Sequence, residues 1–157
     1  MKKLTAILAA VLVLLAGFAA WFYLGGTLRA QVFIQTANAA DYPEAYGAIR
    51  SLLASQSAPQ TFSDPNLPED PSPYTLVDVN VTLANRGLFP AEWLDIRAEA
   101  VEGDIAVYAL TGEGGDIAAR DSGTVNLKLI TTAPADARRT IRVQYYVYGM
   151  KREITVE

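Results

Sequence analysis

Neither cysteine nor histidine occurs anywhere in this 157-residue chain. Without cysteine there is no disulfide and no thiol nucleophile. Without histidine the commonest general base and the commonest transition-metal ligand are missing. Ser-His and Cys-His nucleophile systems are therefore excluded, along with nearly all zinc, copper and haem sites. Whatever folds here is held together by burial alone.

Charge is missing from one long stretch. Leu4 to Leu24 is twenty-one residues without a charged side chain, directly after Lys2 and Lys3. At about 1.5 Å per residue such a helix reaches roughly 31 Å, close to the ~30 Å hydrocarbon thickness of a bilayer. The two lysines favour a cytoplasmic N-terminus, and Trp21 and Tyr23 stand where aromatic rings settle among headgroups. The expectation is a retained signal-anchor over 1–26, single-pass in a bacterial cell membrane, with the rest extracytoplasmic. The alternative is secretion after signal cleavage, at Gly17-Phe18-Ala19 or Ala37-Asn38-Ala39.

Beyond the anchor, about 130 residues suffice for one domain. From Asp41 onward there are seventeen acidic and ten basic residues. Residues 41–137 carry fifteen acids against five bases, whereas 138–157 carry two against five (Arg138, Arg139, Arg142, Lys151, Arg152). An acidic body argues against nucleic acid and anionic headgroups as ligands. The basic terminal segment is either a docking strip or a neutraliser of acidic neighbouring strands.

Three regions follow the anchor. Residues 27–55 read as a juxtamembrane segment and an amphipathic helix over 41–55. Asp41 with Glu44 forms a capping box, Pro43 suits the first turn, and Tyr42, Ala45, Tyr46, Ile49, Leu52 and Leu53 make one apolar stripe. That stripe packs on the following domain, on a partner helix or on a membrane face. Residues 56–73, with Pro59, Pro65, Pro68, Pro71 and Pro73, read as an extended Pro-rich spacer that Phe62 and Leu67 could anchor along the domain surface.

From Tyr74 the period becomes two. Strands are expected over 75–83, 91–101, 105–110, 117–120, 124–130, 140–148 and 153–156. Asn85-Arg86-Gly87 marks a turn, and Gly149-Met150 suggests a type II′ hairpin. The fold class is all-β: an antiparallel immunoglobulin-like two-sheet sandwich of about seven strands over 74–157, preceded by a transmembrane helix and a short amphipathic helix. The Cys–Trp–Cys signature of antibody domains is absent. Val81-Thr82-Leu83-Ala84-Asn85-Arg86-Gly87 resembles the opening of fibronectin-III-like and CARDB-like domains of bacterial surface proteins. Ser122-Gly123-Thr124-Val125-Asn126-Leu127 after a Gly-rich loop is similar to the LEA-type-2 sandwich. These resemblances imply a binding or spacer role.

Few constellations could carry chemistry. Gly103-Asp104-Ile105-Ala106 and Gly115-Asp116-Ile117-Ala118 echo each other and make Asp104 and Asp116 weak metal candidates, for calcium; ordinary turn chemistry is the other explanation. Asp95 and Glu99 are paired carboxylates on an outward strand face, where no cleft is expected, so no catalytic residues and no cofactor are assigned. The aromatic set is the better lead. Trp93, Tyr108, Tyr146 and Tyr148 fall on outward strand phases beside Arg142, and exposed Tyr, Trp and Arg are enriched at binding hot spots. The alternative is that the Pro-rich spacer or the 41–55 helix partly covers both faces of these strands. The expected role is a non-catalytic envelope module for protein–protein interaction or self-association, attached to the membrane through residues 4–24. The alternatives are a cell-wall glycan-binding domain that stacks sugars on these aromatics, and a filament or multimer subunit.

Overall fold

The computed structural model describes residues 2–24, 27–134 and 136–156. The first helix, α1 (Lys2–Leu24), contains the window Leu4–Trp21 with a mean hydropathy of 2.4, none of it buried, and is long and apolar enough to cross a membrane. Eight strands and one further helix follow: β1 (Leu28–Asn38), α2 (Pro43–Ala54), β2 (Gln60–Thr61), β3 (Thr75–Asn85), β4 (Glu92–Ala98), β5 (Asp104–Thr111), β6 (Ser122–Thr131), β7 (Ile141–Val147) and β8 (Met150–Val156). They form two antiparallel sheets, β1-β3-β6-β5-β2 and β4-β7-β8.

The alternation in the sequence produces the packing. Val77, Val79, Val81 and Leu83 of β3 and Val125, Leu127 and Leu129 of β6 line the inner face of the larger sheet. Leu94 and Ile96 of β4 and Ile141, Val143, Tyr145 and Val147 of β7 face them from the smaller one. Each such side chain contributes roughly 1.5–3 kcal/mol by leaving water. On the outer face of the larger sheet, α2 lays Tyr46, Ile49 and Leu53 over Ala106 and Ile130. The helix stripe is thus covered by the domain itself, although Tyr42 remains 54% exposed.

Several expectations need correction. Residues 28–38 are an edge strand paired along their whole length with β3, from Leu28↔Asn85 to Asn38↔Thr75. Leu28, Ala30 and Val32 reach the core from it. Residues 117–120 make no strand; Ile117 forms only a bridge with Ala91. The Asp41–Glu44 capping box does not form, because α2 starts behind Tyr42 without a side-chain cap and Asp41 closes a 3-10 turn capped by Asn38. Pro43 does stand in the first turn. The last hairpin turns on Tyr148-Gly149, both with positive φ (55° and 68°), and Val147 faces Met150. Two positive φ values make this a type I′ turn, the form that matches strand twist.

The Pro-rich stretch adds no reach. Gln60 and Thr61 pair with β5, the Phe62 N–H donates to the Ile105 carbonyl at 2.8 Å, and Leu67 is buried. The Tyr46 hydroxyl donates to the Pro68 carbonyl and Arg50 Nε to the Leu67 carbonyl. At the opposite end the hydroxyl of fully buried Tyr145 accepts the Leu28 N–H at 3.0 Å, fastening β1 to the smaller sheet.

Burial raises the pKa of Tyr46, Tyr108 and Tyr145; Tyr74 adds to it at Tyr46 and Asp78 at Tyr108, while the Leu28 N–H opposes it at Tyr145. The folded chain therefore keeps these protons above the unfolded tyrosine value of about 10, so stability is complete below that pH and falls as pH rises past it. The slope is at most about 1.4 kcal/mol per pH unit for each tyrosine. Urea unfolding of the chain in detergent micelles at about pH 8 and about pH 11 should show the loss, and Tyr145→Phe should flatten it.

Candidate functional site

The outer face of the smaller sheet carries most of the residues singled out above. Between Glu92 and Asp95 the pairing of β4 with β7 slips through a bulge. Trp93 sits in that bulge with φ of 57°, and its side chain is 71% exposed. A left-handed backbone costs a non-glycine residue on the order of 1–2 kcal/mol. Asp116 helps to hold it, its Oδ1 accepting the Trp93 N–H at 3.0 Å. Tyr146, in register with Glu92 and 39% exposed, shares with Trp93, Glu92 and Gly149 an open cleft of about 320 Å³.

Farther along β7, Arg142 pairs with Glu99 and with Glu153, the latter at 3.5 Å. Gln144 also donates to Glu153, and Asp95 pairs with Arg97. The paired carboxylates Asp95 and Glu99 are thus engaged with Arg97 and Arg142 on an open face. Tyr148 stands at the hairpin tip, 57% exposed, with its ring edge-on to Phe89 at 4.1 Å between centroids.

Tyr108 is not part of this group. It lies on the outer face of the larger sheet, half-buried, in a separate cleft of about 560 Å³ with Gln35, Tyr42, Asp78 and Lys128. The structure therefore brings Trp93, Tyr146 and Tyr148 to one end of the smaller sheet, places Arg142 near its other end, in register with Arg97 and Thr155, and puts Tyr108 elsewhere.

The two aspartates of the echoed tetrapeptide do not converge. Asp104 pairs with Thr131 at one end of β6, while Asp116 neighbours the loop that enters the other end. A ten-residue strand separates these ends by roughly 30 Å. Both Asp104 oxygens accept from Arg139, with both side chains nearly inaccessible (0% and 2%), and Thr131 and the Val101 N–H complete the arrangement. Among the described residues no three acidic side chains gather as a metal would require.

Asn85 was legible only as a turn residue. Buried, it donates to the carbonyls of Phe89, Ile117 and Ala118 and accepts the Gly87 N–H, joining three loop positions. The pairing of Asp116 with Trp93 left no sequence signal, since twenty-three residues separate them. The chain matches no protein-family model and no curated protein.

Proposed function

We propose that this chain is a membrane-anchored, extracytoplasmic, non-catalytic module of the bacterial cell envelope that binds a protein partner on the outer face of its smaller sheet. The single observation that carries the reading is Trp93, a large apolar side chain kept in water by a bulge and a left-handed backbone. Natural chains seldom retain such strain without use. Tyr146 beside it and the Glu99–Arg142–Glu153 ladder behind it supply an aromatic centre with a polar rim, the anatomy of a hot spot. The open cleft favours a protein surface over a small substrate, whose sites bury most of their ligand.

The immunoglobulin-like identity belongs to the same proposal. If β2 is set aside and the seven long strands are lettered A to G in chain order, the sheets read ABED and CFG. That order supports an immunoglobulin-like sandwich, and it is compatible with the CARDB-like or LEA-type-2 resemblance.

The test is co-purification from native membranes. The full chain should retain a discrete protein, and Trp93→Ala with Tyr146→Ala should release it, while Tyr42→Ala at the other end should not. Retention by the double variant would overturn the assignment of the face. Capture of a glycan, with Trp93 emission shifting on its addition, would favour the sugar-binding reading.

A further inference from the structure

Five of the exposed large apolar side chains outside α1 gather at one end of the sandwich: Leu88, Trp93, Tyr146, Tyr148 and Met150. This is the end where the chain leaves α1. Leu28 is registered with Asn85, and Ala84 with Ser122, so β1 begins beside the last residues of β3 and the first of β6. Asn85 ties loop 86–91 to loop 112–121, and Phe89 ties loop 86–91 to the Tyr148-Gly149 turn. Four Cα–Cα steps of 3.80 Å join Leu24 to Leu28, so the helix end and this end of the sandwich lie within about 15 Å of each other.

Charge follows the same axis. Exposed Arg29, Arg86, Arg120 and Lys151 lie at this end and take no ion-pair partner among the described residues. Segments 27–31, 84–94, 111–123 and 146–151 hold four basic and four acidic residues, whereas the rest of 32–156 holds seven basic and twelve acidic. The acidic character of the body is thus directed away from the helix. Arg86 and Arg120 also line an open cleft of about 460 Å³ with Ser122 and Asp121. Arg120 and Tyr148 are, like Trp93, non-glycine residues with positive φ (62° and 55°).

We infer that this end of the sandwich rests on the bilayer that α1 spans, with Leu88, Tyr148 and Met150 among the headgroups and Arg86 and Arg120 on lipid phosphates. Aromatic rings and cations with apolar stems are the side chains that settle at this depth. The contact turns the outer face of the smaller sheet sideways along the membrane, so that Trp93 and Tyr146 face a partner anchored in the same bilayer. The inference rests on α1 being a retained span, and goes beyond the partner-binding reading, which could hold without it.

The absence of cysteine makes the test direct. Single variants Leu88→Cys and Tyr148→Cys, with Leu12→Cys and Tyr42→Cys as references, carry a nitroxide label in the full chain reconstituted into phosphatidylethanolamine–phosphatidylglycerol vesicles. Accessibility is read with oxygen, which concentrates in the bilayer, and with a water-soluble nickel chelate. Labels at 88 and 148 should show an oxygen-to-nickel ratio several-fold above that at 42 and below that at 12, and Arg86→Glu with Arg120→Glu should shift it towards the value at 42. Values at 88 and 148 equal to that at 42, with 12 still deep, would overturn the lipid contact and leave the span intact. Aqueous values at 12 as well would remove the span, and the inference with it. Labels at 88 and 148 shielded from both reagents would mean a protein contact instead, and would equally overturn it.

Discussion

Asp104→Ala should cost about 3–5 kcal/mol of folding free energy, the usual loss when one partner of a buried ion pair is removed. The carboxylate is fully buried and receives the Arg139 guanidinium through Nε and one terminal nitrogen. Its removal leaves that cation in the interior and takes the acceptor from the Val101 N–H. Against a typical domain stability of about 5–15 kcal/mol this is a large fraction, and a domain of this size should melt roughly 10–20 °C lower. Replacing both partners, as in Asp104→Leu with Arg139→Met, should recover most of the loss, because no charge then remains unpaired. Thermal unfolding of the chain in detergent micelles, followed by near-ultraviolet circular dichroism, separates these outcomes. The pair clamps the segment around Ala137 and Arg139 to the start of β5, at the end of the sandwich opposite the one where the chain leaves α1. Any Asp104 variant that still folds should therefore keep its partner binding.

Trp93→Gly should do the opposite. Glycine accepts a φ of 57° without steric cost, and little buried surface is lost from a side chain that is 71% exposed. The relief of about 1–2 kcal/mol is offset in part by the added freedom of glycine in the unfolded chain, so folding should be unchanged or stronger by up to about 1 kcal/mol. Partner affinity should fall by about 2 kcal/mol or more, roughly thirtyfold, as expected of a hot-spot tryptophan. A residue kept for stability would show the reverse pattern. Chemical unfolding and the amount of partner retained by the variant give the two numbers.

The elements that were legible in the sequence share a physical trait: their periodicity is imposed by burial on one side. β3, β6 and β7 each press one face into the core and leave the other half-open, and a period of two results. The uncharged run of α1 was readable from composition alone, since no charged side chain occurs between Leu4 and Leu24 and the described window is long and apolar enough to cross a membrane. β1 escaped notice because Val32, Phe33 and Ile34 are consecutive, with Phe33 and Ile34 exposed on an edge strand, so alternation is lost. The docking of residues 60–67 left no period, since it depends on two paired residues and one buried leucine, although Phe62 and Leu67 were readable as its anchors. The echoed Gly-Asp-Ile-Ala was misleading for a different reason. The role of each copy is decided by a distant partner, Arg139 in one case and the Trp93 N–H in the other. Of the aromatic set, strand phase correctly placed Trp93, Tyr146 and Tyr148 on the surface. Phase alone could not show that Tyr108 belongs to the other sheet and lies beneath the start of α2.

The Trp93–Tyr146 face is proposed to be covered by a protein anchored, like this chain, in the cell membrane. Site-specific photo-crosslinking in native membranes tests it most directly, with a photoreactive side chain placed at position 93, 146 or 42. One discrete protein adduct is expected from positions 93 and 146 and none from position 42. No adduct at 93 and 146, or the same adduct from all three positions, would contradict it.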